Sequence, residues 1–257
     1  MKVAERKIHG LLIDIDGVLF QGGRAIPGAI DFVGRLKARG IPHRFVTNTT
    51  TLSRANLTLR LQQLGFAVKE HELMTAPCAA RDYLESEKLM VGLLLVDPSV
   101  EGEFASVSKR GTRGRAVVVG DIGDRWTYDL LNSAFHELMN GAELLALHKN
   151  KYWQTSEGLK MDIGAFVAGL EYTTGKKAIL AGKPSETFFR AAARELGLPV
   201  ESLAMIGDDI ESDVGGAQKL GMSGVLVKTG KYRKELTARS SVVPEAIVES
   251  IAEFSLD

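Results

Sequence analysis

The sequence predicts an α/β fold whose parallel sheet is covered by helices, on three observations. Short apolar runs alternate with amphipathic helical stretches, the pattern of successive β-α units. Several of those runs end abruptly in acids, hydroxyl residues or a lysine, as strands do when their carboxyl ends build a ligand site. The pattern is also interrupted, because an α/β block of different character fills the middle of the chain before the first one resumes. A length of 257 residues fits two units, or one unit with an insertion. With 45% hydrophobic and 25% charged residues the chain can bury a sizeable core and falls outside the disordered class.

The first run, LLIDIDGVLF at residues 11–20, begins as a buried strand and then places Asp14 and Asp16 two residues apart, followed by Gly17. A side-chain period of two puts both carboxylates on one side of an extended strand, where they repel unless a cation lies between them. Hard oxygen donors of this kind suit Mg²⁺. The same spacing also fits a strand end with two solvated acids, and this stretch alone leaves both readings open. An EF-hand loop is disfavoured by the apolar strand before Asp14 and by Leu19 and Phe20 after it.

A helix over residues 28–39 follows, with Ile30, Val33 and Leu36 at helical spacing and Gly40 as its stop. The strand HRFVTN, residues 43–48, ends in Thr47 and Asn48, and Ser53 caps a helix bearing Leu57, Leu61 and Leu64. From about residue 75 the character changes: a helical segment to 84, strands at 91–96 and 116–120, a helix over 128–139 and a further strand within 142–149. Gly120 and Asp121 after the second of these strands read as a turn. Residues 148–158 read as a loop combining Lys149, Lys151, Tyr152 and Trp153, which suits either ligand contact or aromatic packing beneath the loop. The first pattern resumes with a short strand at 177–181, the turn GKPS and a helix from 185 to 196 that buries Phe188, Phe189 and Ala192 and stops at Gly197. Then come the strand and acidic turn of SLAMIGDDIESD, a helix and the strand GVLVKTG. Residues 1–76 plus 179–257 are therefore expected to form one discontinuous core domain, with 77–178 inserted as a second domain.

Charge and composition exclude several function classes. Lys plus Arg equals Asp plus Glu at 32 each, so no overall field favours nucleic acid or an anionic membrane. The lone Cys78 rules out an intrachain disulfide and a cysteine zinc cluster, and the five histidines lack metal-site spacing. No stretch approaches the ~20 apolar residues of a membrane span. The reading is of a soluble, cytoplasmic protein.

Four polar points stand at strand ends in the order Asp14 with Asp16, Thr47 with Asn48, Lys183, and Asp208 with Asp209 and Asp213. DIDGV, VTN, GKP and GDDIESD in this order resemble the haloacid dehalogenase superfamily. The insertion between the threonine strand and the lysine resembles its type IIA branch, the NagD-like or p-nitrophenyl phosphatase-like proteins with a C2-type α/β cap. The resemblance implies a Rossmann-like core at 1–76 and 179–257 and a cap at 77–178. It implies a Mg²⁺-dependent phosphatase with Asp14 as the nucleophile that forms an aspartyl-phosphate, and Asp16 as the general acid and base. Mg²⁺ would be held by the Asp14 side chain, the Asp16 backbone carbonyl and Asp208. Thr47 and Asn48 would bind phosphoryl oxygens, Lys183 would add positive charge, and Asp213 with Asp209 would orient the metal's waters. Gly17 would offer its amide to the phosphate. The expected substrate is a small phosphate ester, phosphoramidate or pyrophosphate, with Lys149, Tyr152 and Trp153 influencing its choice and a homodimer as the expected assembly. The competing reading is a phosphoacceptor or binding module of the same fold without efficient turnover.

Overall fold

Two units make up the chain in a computed structural model that describes residues 7–107, 114–155 and 158–255, the backbone alone for 152–155, 158 and 159. The first comprises residues up to 47, 54–74 and from 183 onward; the second comprises 48–53 and 75–182. The first unit is built on a six-stranded sheet in the order Ala246–Val248, Ser223–Val227, Leu203–Gly207, Gly10–Asp14, His43–Thr47, Leu73–Thr75. Numbered along the chain this is the doubly wound order 3-2-1-4-5-6, in which the first and fourth strands flank the topological switch point. Those two strands are Gly10–Asp14 and Leu203–Gly207, paired in parallel with Ile13 opposite Ile206. Every residue of both is buried, as expected of central parallel strands with helices on both faces. Leu12 and Ile13 are fully buried, and truncating either to Ala costs about 2–5 kcal/mol.

The helix Ala29–Ala38 buries Ala29, Phe32, Val33 and Leu36, the i, i+3, i+4, i+7 stripe. Ile30, expected on that stripe, is 40% exposed, because it lies about 100° from Ala29 around the helix. The helix Glu186–Leu196 buries Phe188, Phe189 and Ala192; Ser185 Oγ accepts from the Phe188 N–H at 3.2 Å, and Gly197 closes it in the left-handed conformation.

The second unit carries a separate parallel sheet in the order Ile179–Leu180, Glu143–Ala146, Gly114–Val119, Leu89–Leu95. Alternation along Gly114–Val119 sends Ala116 and Val118 into one apolar cluster with Ala80 and Leu84, and Val117 and Val119 into another with Ala134, Leu138 and Val167. The helix Tyr128–Met139 has the bounds the sequence predicts. Asp121 Oδ1 accepts from the Gly123 N–H at 2.8 Å, forming a turn. The helix Gly164–Thr174 has no clear reading in the sequence, since apolar and small residues surround it.

Three expectations need correction. The strand at 177–181 belongs to the second sheet, where Ile179 and Leu180 pair with Leu145 and Ala146; two apolar residues cannot announce which sheet will take them. Residues read as a loop contain the strand Tyr152–Thr155, paired antiparallel with Gly158–Met161. The helix after Asp209 opens as a π-helical turn, Ile210–Gly215, before a short α-helical one, Gly216–Gln218. Among the described residues no helix is long and apolar enough to cross a membrane.

Candidate active site

The switch point places the first acid. Asp14 ends its strand opposite Val46, so Thr47 stands one residue further along the neighbouring strand. On the other side Gly207 is the last residue of its strand, and Asp208 follows it directly. Lys183 enters from the segment preceding the helix Glu186–Leu196. Its Nζ lies 2.5 Å from Asp14 Oδ1 and 2.7 Å from Asp213 Oδ1. Asp14, Asp208 and Asp213 each offer a carboxylate oxygen within 4.8 Å of the others, and all three residues are buried.

The π-helical turn and a glycine bring Asp213 there. Both Asp213 and Val214 donate their N–H to the Asp209 carbonyl, at 3.1 and 3.3 Å, which widens the turn. Asp213 then folds back over Gly207, where an added Cβ would lie 2.3 Å from the Asp213 Cβ and carboxylate. Its Oδ2 accepts from the Asp209 N–H at 3.2 Å.

Among the described residues three buried carboxylates face one buried ammonium, with the exposed Lys231 adding a weaker pull, and that imbalance sets the electrostatics. Burial raises the Asp14 carboxyl above its ordinary range, with Lys183 opposing the rise. Burial and the charges of Asp14 and Asp213 push Asp208 up to about 8. Burial, opposed by Lys183 and reinforced by Asp14, pushes Asp213 up to about 6. Burial alone would lower Lys183, but Asp14 and Asp213 outweigh it and hold the ammonium firmly protonated. Asp208 Oδ1 is buried and accepts no hydrogen bond among the described residues. Hard oxygen donors, surplus negative charge and an orphaned buried oxygen fit a divalent cation.

The remaining residues singled out in the sequence take various places. Asp16 is exposed, outside the three-carboxylate cluster, though its charge still raises Asp14. Thr47 is buried at its strand end, whereas Asn48 groups with the second unit. Asp209 Oδ1 accepts from the Glu211 and Ser212 N–H groups, at 3.1 and 3.0 Å. Burial would raise its carboxyl, but these donors and Lys231 together lower it. The Gly17 amide donates to the Phe20 carbonyl at 2.8 Å in a tight turn with φ 83°. In the second unit Lys149 pairs with Glu171. The side chains of Tyr152 and Trp153 lie outside the described residues.

Sequence reasoning missed the turn Thr229–Gly230–Lys231. Thr229 Oγ1 donates to the Gly17 carbonyl at 2.5 Å, and the Lys231 N–H donates to Asp208 Oδ2 at 2.7 Å. An added Cβ at Gly17 or Gly230 would lie 2.0 or 1.9 Å from that same oxygen, so the two glycines let both turns close on it. The available signal was position: TGK follows the strand beside the one that delivers Asp208.

Comparison with known proteins agrees with this geometry. The model of haloacid dehalogenase-like hydrolases matches residues 11–121, and a HAD-hydrolase-like model matches residues 180–254. Mouse haloacid dehalogenase-like hydrolase domain-containing protein 2 is 43% identical over 230 residues, covering 90% of this chain and 88% of its own. The chain belongs to the haloacid dehalogenase superfamily. Another superfamily relative, human phospholysine phosphohistidine inorganic pyrophosphate phosphatase, is 38% identical over 252 residues, covering 96% of this chain and 92% of its own. Among solved structures, NagD from E. coli K-12 superposes with a TM-score of 0.87 at 25% identity, over 97% of this chain and 99% of NagD. The Thermotoga maritima 4-nitrophenylphosphatase gives 0.86 at 25% identity, over 96% of each chain. The chain thus has the type IIA haloacid dehalogenase fold, with an α/β cap inserted in the core.

Proposed function

We propose that this protein is a Mg²⁺-dependent phosphatase that hydrolyses small phosphorylated molecules through an aspartyl-phosphate on Asp14. The observation that carries the reading is the buried Asp14 carboxylate at a parallel strand's end, 2.5 Å from the Lys183 ammonium and clustered with Asp208 and Asp213. Asp14, Asp208 and Asp213, with the Asp16 backbone carbonyl, are the candidates to hold the ion. When bound, Mg²⁺ supplies the positive charge that phosphoryl oxygens need.

In the proposed reaction an Asp14 carboxylate oxygen attacks phosphorus as the bond to the leaving oxygen breaks. Asp16 gives its proton to that oxygen. It then takes a proton from the water that attacks the aspartyl-phosphate, which returns Asp14 and releases phosphate. The exposure of Asp16 suits exchange with leaving groups and water, whereas the burial of Asp14 suits a nucleophile shielded from solvent. Lys183 stays protonated throughout, anchoring Asp14 and offsetting charge on the transferring group. Thr47 and Asn48 are assigned to phosphoryl oxygens.

Relatives named for phospholysine, phosphohistidine, inorganic pyrophosphate and 4-nitrophenyl phosphate support a compact phosphorylated substrate. The family resemblance also suggests a homodimer. Phosphate release from a panel of esters, phosphoramidates and pyrophosphate tests the activity, with Mg²⁺ and chelator arms and Asp14→Asn as control. Release that persists in chelator or in Asp14→Asn refutes it.

A further inference from the structure

The segment after the strand Ser223–Val227 reads KTGKYRK, a cationic stretch in a chain with no net charge. Its cations differ in what they face. Lys228 pairs with Glu249 at 2.5 Å, away from the carboxylate cluster. Arg233 bonds the loop itself, donating to the Gly230 and Tyr232 carbonyls at 3.1 and 2.7 Å. Lys231 has its backbone N–H on Asp208, and its ammonium lies 3.5 Å from Asp209 Oδ2. The Lys231 side chain is 65% exposed, so it stands at the rim of the site with its charge open to solvent.

The parts around Lys231 fix that placement. Thr229 ties the turn to Gly17, Gly230 lets it pass against Asp208, and Asp209 is itself pinned by two backbone N–H groups. Asp209 therefore reads as the residue that holds the Lys231 ammonium at the rim. Lys183 is buried and shared between two acids, so it cannot also serve a group beyond the transferring phosphoryl. An exposed ammonium beside the buried metal-type carboxylates is placed to meet such a group.

We infer that Lys231 is a specificity residue that selects substrates carrying a second anionic group next to the transferred phosphoryl, as in pyrophosphate or a phosphorylated acid. This rests on the phosphatase reading for the position of the substrate, and it deepens that reading by naming the substrate class. A cation contacting a charged ligand group, partly screened by water, contributes about tenfold in affinity.

The test is binding, so that its outcome does not depend on turnover. Methylenediphosphonate and methylphosphonate are titrated calorimetrically, in Mg²⁺, into the wild-type protein, Lys231→Met and Lys231→Arg. The expected result is a loss of about tenfold in methylenediphosphonate affinity in Lys231→Met, unchanged methylphosphonate affinity, and recovery in Lys231→Arg. The loss should shrink as salt rises from low to about 0.5 M. An equal loss for both ligands would reduce Lys231 to holding the turn in place, and that outcome, no loss, or no binding of either ligand to wild type would each overturn the inference. Failure of the phosphatase reading shows separately, as wild-type protein that binds methylenediphosphonate yet releases no phosphate from any substrate of the panel.

Discussion

Replacing Asp208 by Asn should change how the metal-free protein responds to pH, and the size of the effect follows from the site. In the absence of the ion, burial and the charges of Asp14 and Asp213 push the Asp208 carboxyl up to about 8 from an ordinary value of 3.8. Between those values the folded protein keeps a proton that the unfolded chain gives up. Metal-free stability must therefore fall as pH rises through this window, and the loss is complete only above about 8. Asp213 reaches only about 6, and burial raises Asp14 as well, so between pH 6 and 8 the difference between wild type and Asp208→Asn gives the Asp208 share. A full pH unit inside the window is worth about 1.4 kcal/mol and the slope tapers toward pH 8, which gives a loss of about 2 kcal/mol across the interval. For a chain of this size that is a drop of about 5 °C in Tm. Thermal melts in chelator at pH 6, 7 and 8, for wild type and Asp208→Asn, read it directly. The wild-type Tm should fall with pH, the variant's slope should be flatter, and added Mg²⁺ should raise the wild-type Tm more at pH 8 than at pH 6. Equal slopes in the two proteins, or a wild-type Tm that rises with pH in chelator, would refute the electrostatic account.

Other outcomes follow from the same geometry. Lys183→Met leaves Asp14 and Asp213 buried without their counter-charge; it should abolish turnover and cost about 3–5 kcal/mol in urea melts done in chelator, unless the carboxyls take up protons, which pH-dependent melts would reveal. Gly207→Ala places a methyl 2.3 Å from the Asp213 side chain and should raise the Mg²⁺ concentration for half-maximal activity by about tenfold, a loss of about 1.4 kcal/mol in ion binding read by Mg²⁺ titration. His43 is held below its ordinary value, by burial first, so its folded form is preferentially neutral. Its contribution to stability is present above about 6.5 and lost as pH falls toward its folded value, and melts in saturating Mg²⁺ should show a decline below pH 6.5 that His43→Gln flattens.

Much of the fold was legible because the central strands are buried on both faces. Leu11–Ile13 and Leu203–Ile206 have to be continuous apolar runs, and Asp14 directly after the first and Asp208 one glycine beyond the second mark carboxyl ends at the switch point. The helix Glu186–Leu196 was equally plain, since Ser185 and Gly197 bracket a strong apolar stripe. Ile179–Leu180 was assigned to the wrong sheet because parallel partners are chosen by long-range packing, which two residues do not encode. The site followed the same division. Asp14, Lys183 and Asp208 were readable from their strand ends, whereas the place of Asp213 depends on a π-helical turn and a glycine contact. The role of the turn Thr229–Gly230–Lys231 rests on backbone amides and carbonyls, which any residue carries, so only the position of TGK hinted at it.

The central claim is that Asp14 becomes covalently phosphorylated during turnover. Acid quenching of the wild-type protein mixed with substrate and Mg²⁺ in the millisecond range, followed by peptide mass mapping, tests it most directly. The account predicts one phosphoryl group on the peptide containing Asp14, decaying as phosphate appears and absent from Asp14→Asn, which should release no phosphate. A phosphoryl group on any other residue, or phosphate release by Asp14→Asn at the wild-type rate, would contradict it.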